Sequence, residues 1–148
     1  MKSQFARARA QFSLVLTCGA LAGAANADLS KMDGVSADAA RPGFTFKTEK
    51  PLTVSEPVRI PREVSSVCAF NVLDGPSDVD VAFDAGMLET GGACGIAKEG
   101  PGTLKVGGEV RLSGFITIYQ GALDLSAARP QGTLRVHLMG NSILKPPS

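Results

Sequence analysis

A single antiparallel β-sandwich of about seven or eight short strands is the fold predicted for this 148-residue chain. Three features predict it. Apolar residues alternate with polar ones at a period of two, glycine and proline punctuate these runs, and no apolar pattern of period 3.6 lasts long enough for a major helix. A small barrel satisfies the same features.

The elements follow in order. From Gly43, Phe44 and Phe46 alternate with Thr45 and Lys47, and Leu52, Val54, Val58 and Ile60 continue the period. Pro51, Pro57 and Pro61 cannot donate to a ladder, which puts these strands at a sheet edge or bends them there. Residues 67–73 form a denser apolar run, and Asp74-Gly75-Pro76-Ser77 favours a tight reversal. With the alternation that follows at 79–83, this reads as a hairpin whose Val79, Val81 and Phe83 face inward and whose Asp78, Asp80 and Asp84 face outward or towards a rim. Met87-Leu88-Glu89 is a further short strand before the glycine-rich turn Gly91-Gly92-Ala93-Cys94-Gly95.

Leu104 and Val106, then Val110 and Leu112, alternate on either side of a turn or bulge at Gly107-Gly108. Residues 115–119 carry apolar or aromatic side chains on both faces, the pattern of a strand buried on two sides or bordering another chain. Phe115, Thr117 and Tyr119 are therefore candidates for a partner-binding strand. Residues 122–125 fit a short strand or a helical turn. At 133–139, Leu134, Val136 and Leu138 share one face while Thr133, Arg135, His137 and Met139 share the other. No repeat is evident at a fixed interval.

The first 27 residues have the three parts of a secretory signal. Lys2, Arg7 and Arg9 supply a basic start, residues 12–22 an apolar stretch, and Ala25-Asn26-Ala27 a small-residue cleavage site. The competing reading is lipid attachment at Cys18, although Thr17 stands where a lipobox wants a smaller residue. The apolar stretch falls short of the roughly 20 residues needed to span a bilayer. The expected organisation is a signal at 1–27, a flexible arm at 28–42 and the sandwich at 43–148, in a protein exported to the periplasm, the cell surface or the medium. Without the three basic signal residues, 12 basic side chains face 14 acidic ones, a net charge of −2. No basic face is implied, which argues against nucleic acid and anionic membrane as partners.

Export leaves Cys68 and Cys94 in an oxidising compartment, where two cysteines have one pairing available. Closing the 25 residues between them would stabilise the fold by about 3 kcal/mol on the chain-entropy model. A redox pair would be more closely spaced.

Few residues carry chemistry. His137 is the only histidine and lies on the polar face of its strand, with no Gly-x-Ser-x-Gly elbow anywhere in the chain. One histidine and two oxidised sulfurs do not make a zinc or copper site. Asp74, Asp78 and Asp80, with Asp84 beyond them, are a weak calcium candidate because a turn and one strand face bring carboxylates together. Their spacing matches no calcium loop, and solvated charge flanking a turn and lining the wet face of a strand is the favoured explanation. The glycine pairs lack a Walker lysine and open no helix, so they read as turns. Neither a catalytic residue nor a cofactor is expected.

Two segments, Val106-Gly107-Gly108-Glu109-Val110 and Pro130-Gln131-Gly132-Thr133-Leu134-Arg135-Val136, resemble the end of small secreted bacterial proteins of the fimbrial-subunit type. The resemblance covers about a quarter of the chain and implies an immunoglobulin-like sandwich that builds pili or surface adhesins. The ending Leu144-Lys145-Pro146-Pro147-Ser148 departs from the aromatic terminus of chaperone-assembled pilins. The expected function is that of a noncatalytic exported structural or adhesion-related protein, a pilus-like surface subunit in its sharpest form. In that case Phe44 and Phe46, beside the arm, are the candidate donor strand. The alternative is a periplasmic or secreted protein-binding module or inhibitor, and in both cases the partners are envelope or surface proteins or further copies of the chain.

Overall fold

Apart from the first strand, which pairs with the second, the strands of this protein pair at intervals of three along the chain, so the polypeptide winds into a parallel β-solenoid of about four turns. The structure, a computed structural model, describes residues 28–60, 67–90 and 93–148. A short 3₁₀ turn at Leu29–Lys31 precedes fifteen strands among these residues. They are β1 (Val35–Ala37), β2 (Gly43–Phe46), β3 (Leu52–Val54), β4 (Val58–Ile60), β5 (Val67–Val72), β6 (Val81–Phe83), β7 (Met87–Glu89) and β8 (Gly95–Glu99). There follow β9 (Thr103–Val106), β10 (Gly108–Arg111), β11 (Phe115–Ile118), β12 (Gly121–Asp124), β13 (Ala128–Pro130), β14 (Arg135–Leu138) and β15 (Ser142–Lys145).

Three sheets form the walls. The six-stranded wall runs β14-β11-β8-β5-β2-β1, the five-stranded wall β15-β12-β9-β6-β3, and the four-stranded wall β13-β10-β7-β4. Every pairing is parallel except that of β1 with β2. Parallel register stacks like on like. Leu52, Val81, Leu104, Leu123 and Leu144 form one inward column of the five-stranded wall. Cys68, Ile96, Ile116 and Val136 form another in the six-stranded wall. Phe46, Phe70 and Phe83 are fully buried where the first two coils meet, with ring centroids 5.6–6.3 Å apart. Each such ring contact adds about 0.5–1.5 kcal/mol beyond the area it buries.

This architecture corrects the predicted antiparallel sandwich. Period-two alternation states only that one face of a strand is buried, and stacked parallel coils satisfy it as well as paired hairpins do. The corners decide. Residues 67–73 and 79–83, expected to form a hairpin, lie in β5 and β6 on different walls, because the chain between them bends instead of reversing. Glycine permits the bends. Gly86 has φ +101°, and a Cβ there would run into the Glu109 carbonyl oxygen of the next coil. Gly121 has φ +72° and sits against the carbonyls of Gly100 and Gly102. Pro51 and Pro57 lie just before β3 and β4, which are the first strands of their walls.

Cys68 and Cys94 are buried free thiols on adjacent coils, which corrects the expected disulfide. Burial, and then the neighbouring Cys94 sulfur, push the Cys68 thiol up to about 12. Cys94 donates weakly to the Gly95 carbonyl at 3.4 Å. Coil stacking, not a covalent bridge, joins these segments.

Lys98 occupies an inward column between Phe70 and Ile118 and is fully buried. Its ammonium reaches the corner between two walls and donates to the carbonyls of Glu99 (2.9 Å), Gly100 (2.8 Å) and Gln120 (3.0 Å). It thereby ties one coil to the next. Burial pushes its pKa down to about 8, with the Asp80 and Glu99 carboxylates opposing the shift. Asp80, also buried, accepts from the amides of Gly75 and Thr103, both at 2.8 Å.

The signal at 1–27, with its Ala25 and Ala27 cleavage site, lies outside the described residues. Residues 28–42, expected as an arm, hold the 3₁₀ turn and β1. No helix among the described residues is long and apolar enough to cross a membrane.

Gly86→Ala should lower stability by about 3 kcal/mol, read as a drop in denaturation midpoint, because it combines a left-handed backbone with a blocked Cβ. Alkylation followed by peptide mapping should label Cys68 and Cys94 only after unfolding; two thiols that stay unlabelled in denaturant without reductant would restore the disulfide. Between pH about 8 and 10.5 the unfolded chain keeps a proton on Lys98 that the folded chain has released, so stability should rise with pH in that window. The gain should appear as the difference between the native protein and Lys98→Met, and should be absent below pH 8.

Candidate functional site

The outer face of the six-stranded wall carries its side chains in three parallel columns, set by the register of the strands. Val67, Gly95, Phe115 and Arg135 form the first. Gly43, Ala69, Ala97, Thr117 and His137 form the second. Thr45, Asn71 and Glu99 form the third, and Tyr119, whose amide donates to the Lys98 carbonyl at 2.8 Å, continues it. Residue size varies sharply along these columns. Gly95 and Ala97 are a low floor, with Val67 rising on one side and Phe115, Thr117 and Tyr119 on the other.

The result is a shallow groove of about 240 Å³. Its walls are apolar yet open to solvent, with Val67 44%, Phe115 45% and Tyr119 51% exposed. A sheet face that holds large apolar groups in water around a small-residue floor has the composition of an interaction surface.

Hydrogen-bonded charged side chains stand on the same outer face beside the groove. Arg41, on the loop between β1 and β2, reaches past β5 and grips Glu99 through two hydrogen bonds, at 2.8 and 2.5 Å, while its Nε donates to Asp38 at 2.9 Å. Those bonds hold the Glu99 and Asp38 carboxyls below the usual carboxylate range and raise the guanidinium further. From β14 the imidazole of His137 stacks on Phe115, with centroids 4.4 Å apart and planes 30° apart. The Arg135 guanidinium lies 4.8 Å from the centre of the same ring and donates to the Ser113 carbonyl. Cation and imidazole hold Phe115 in place. Tyr119 also borders a second, polar depression of about 660 Å³ at the corner, beside Asn71, Glu99, Gln120 and Asn141.

The structure brings together Phe115, Thr117 and Tyr119, the three residues named from the sequence as a partner-binding strand, on one face of β11 and its extension. Their companions Val67, Gly95 and Ala97 were missed; they come from other coils, and only the parallel register makes them neighbours. Phe44 and Phe46, the candidate donor strand, are placed in β2 with Phe46 fully buried against Phe70 and Phe83. Of the calcium candidates, Asp74 and Asp78 are exposed and Asp80 is turned into the core. Among the described residues no three carboxylate, histidine or cysteine side chains converge on a point that would hold a metal.

The parallel solenoid overturns the immunoglobulin-like sandwich implied by the fimbrial-type resemblance of segments 106–110 and 130–136. No family model, curated protein or solved structure matches this chain.

Proposed function

We propose that this chain is a noncatalytic structural or adhesion-related protein that uses its solenoid as a rigid support and the outer face of the six-stranded wall as its contact surface. The supporting observation is the groove itself, where Phe115, Tyr119 and Val67 stand in solvent on a floor of Gly95 and Ala97. Parallel coils cost such a surface little conformational freedom, since every column is fixed by its neighbours, and rigid aromatic side chains are efficient anchors for binding. His137, the only imidazole, is engaged with Phe115 as a packing partner. That use of the ring favours recognition over acid–base chemistry. Export rests on the signal-like first 27 residues, and the corresponding partners are proteins of the envelope or cell surface.

A photo-crosslinking amino acid at Thr117, in the centre of the groove wall, tests this reading in native cells. It should yield one predominant crosslinked protein, and Ala97→Arg, which fills the groove from its floor, should reduce the product at least about tenfold while leaving the circular dichroism spectrum unchanged. A crosslinked product indifferent to Ala97→Arg, or none at all, would contradict the proposal.

A further inference from the structure

The two ends of the solenoid differ. At the N-terminal end Leu29 is 3% exposed, Met32 and Val35 pack against the core, and β1 runs antiparallel along β2, so that end of the six-stranded wall is covered. At the other end β14 is the outermost strand of its wall. Its core-side residues Leu134 and Val136 are only half-buried and Leu138 is 54% exposed, although Leu138 continues the column of Ile118, which is fully buried.

Among the described residues no strand pairs with the outer edge of β14. The Met139 amide donates to the Ile118 carbonyl at 2.9 Å. In a parallel ladder the backbone groups of successive residues point alternately to the two sides, so Val136 and Leu138 direct theirs at the open side. Natural edges are blunted by proline, by an inward-pointing charge or by a bulge. β3 and β4 follow Pro51 and Pro57, and β15 runs into Pro146 and Pro147. Residues 134–139, Leu-Arg-Val-His-Leu-Met, have none of these devices, since Arg135 stands on the outer face.

We propose that this edge is where two copies of the chain join, β14 against β14, antiparallel about a two-fold axis at Val136. Leu29, Met32 and Val35 cap the core at the other end, so the two uncapped ends meet and a closed, isologous pair is the assembly that fits. The register is self-complementary. Val136 faces Val136 of the second copy, Leu134 faces Leu138, and both are pairs in which the open-side amides and carbonyls meet. The core-side columns of each copy then run into those of the other. On the outer face Arg135 falls opposite His137 of the second copy. Both grooves stay open, one on either side of the two-fold axis in one continuous sheet, with Arg135 and His137, which hold Phe115, between them.

Sedimentation equilibrium on the purified full chain tests the proposal. A single edge contact sits at the small end of specific interfaces, so a dimer should populate at about 10–100 μM. Val136→Pro removes an amide that no described strand of its own chain uses, and Leu138→Lys puts a charge on the core side of the edge. Each should weaken dimerisation at least about tenfold with an unchanged circular dichroism spectrum. Should Val136→Pro fail to fold, Leu138→Lys carries the test alone. A native chain that sediments as a monomer throughout this range, or a dimer that persists in folded Leu138→Lys, would overturn the proposal.

Discussion

Hydrogen bonding between successive coils, in parallel register, is the constraint on which the rest of this structure depends. Each strand is three to six residues long and could not hold a sheet by itself. Stacked in register, these strands place Leu104 on Leu123 on Leu144 and Ile96 on Ile116 on Val136. The same register lines up the outer face. Gly95 and Ala97 become a floor and Phe115 a wall because strands from three coils are aligned to the residue; a slip of one residue would turn every one of these side chains into the core.

The corners carry the chemistry that the walls do not. Lys98 shows how: a charged side chain occupies an apolar column, its stem packs between Phe70 and Ile118, and its ammonium is spent on three carbonyls at the bend. A buried cation is tolerable only with its donors satisfied. The corner supplies acceptors because backbone carbonyls leave the ladders there. Asp80 fills the complementary need, accepting from amides that no strand satisfies.

Much of the local structure was legible in the sequence. Alternation from Gly43 and at 133–139, and a dense apolar run at 67–73, marked stretches that hold strands at 43–46, 52–54, 67–72 and 135–138, and the residues on both faces of 115–119 marked a strand that lines the groove. Long-range order was not legible. The hairpin reading of 67–83 failed because a turn sequence rich in Asp, Gly and Pro specifies a change of direction without specifying whether the strands return on each other. A signal for the solenoid did exist. Ile96, Ile116 and Val136 recur at 20 residues, and Leu104, Leu123 and Leu144 at 19 and 21. In the first coils the spacing stretches to 26 between Gly43 and Ala69 and 29 between Leu52 and Val81, and this drift hides the repeat. Asp80 and Lys98 were unreadable for a related reason, since charged residues are expected outside until a corner offers them partners.

Cross-strand nuclear Overhauser contacts between backbone protons test the central claim most directly. The solenoid predicts contacts linking Ile96 to Ile116 and Ile116 to Val136, in parallel sequence along each ladder. Antiparallel Hα–Hα contacts between 67–73 and 79–83 would contradict it.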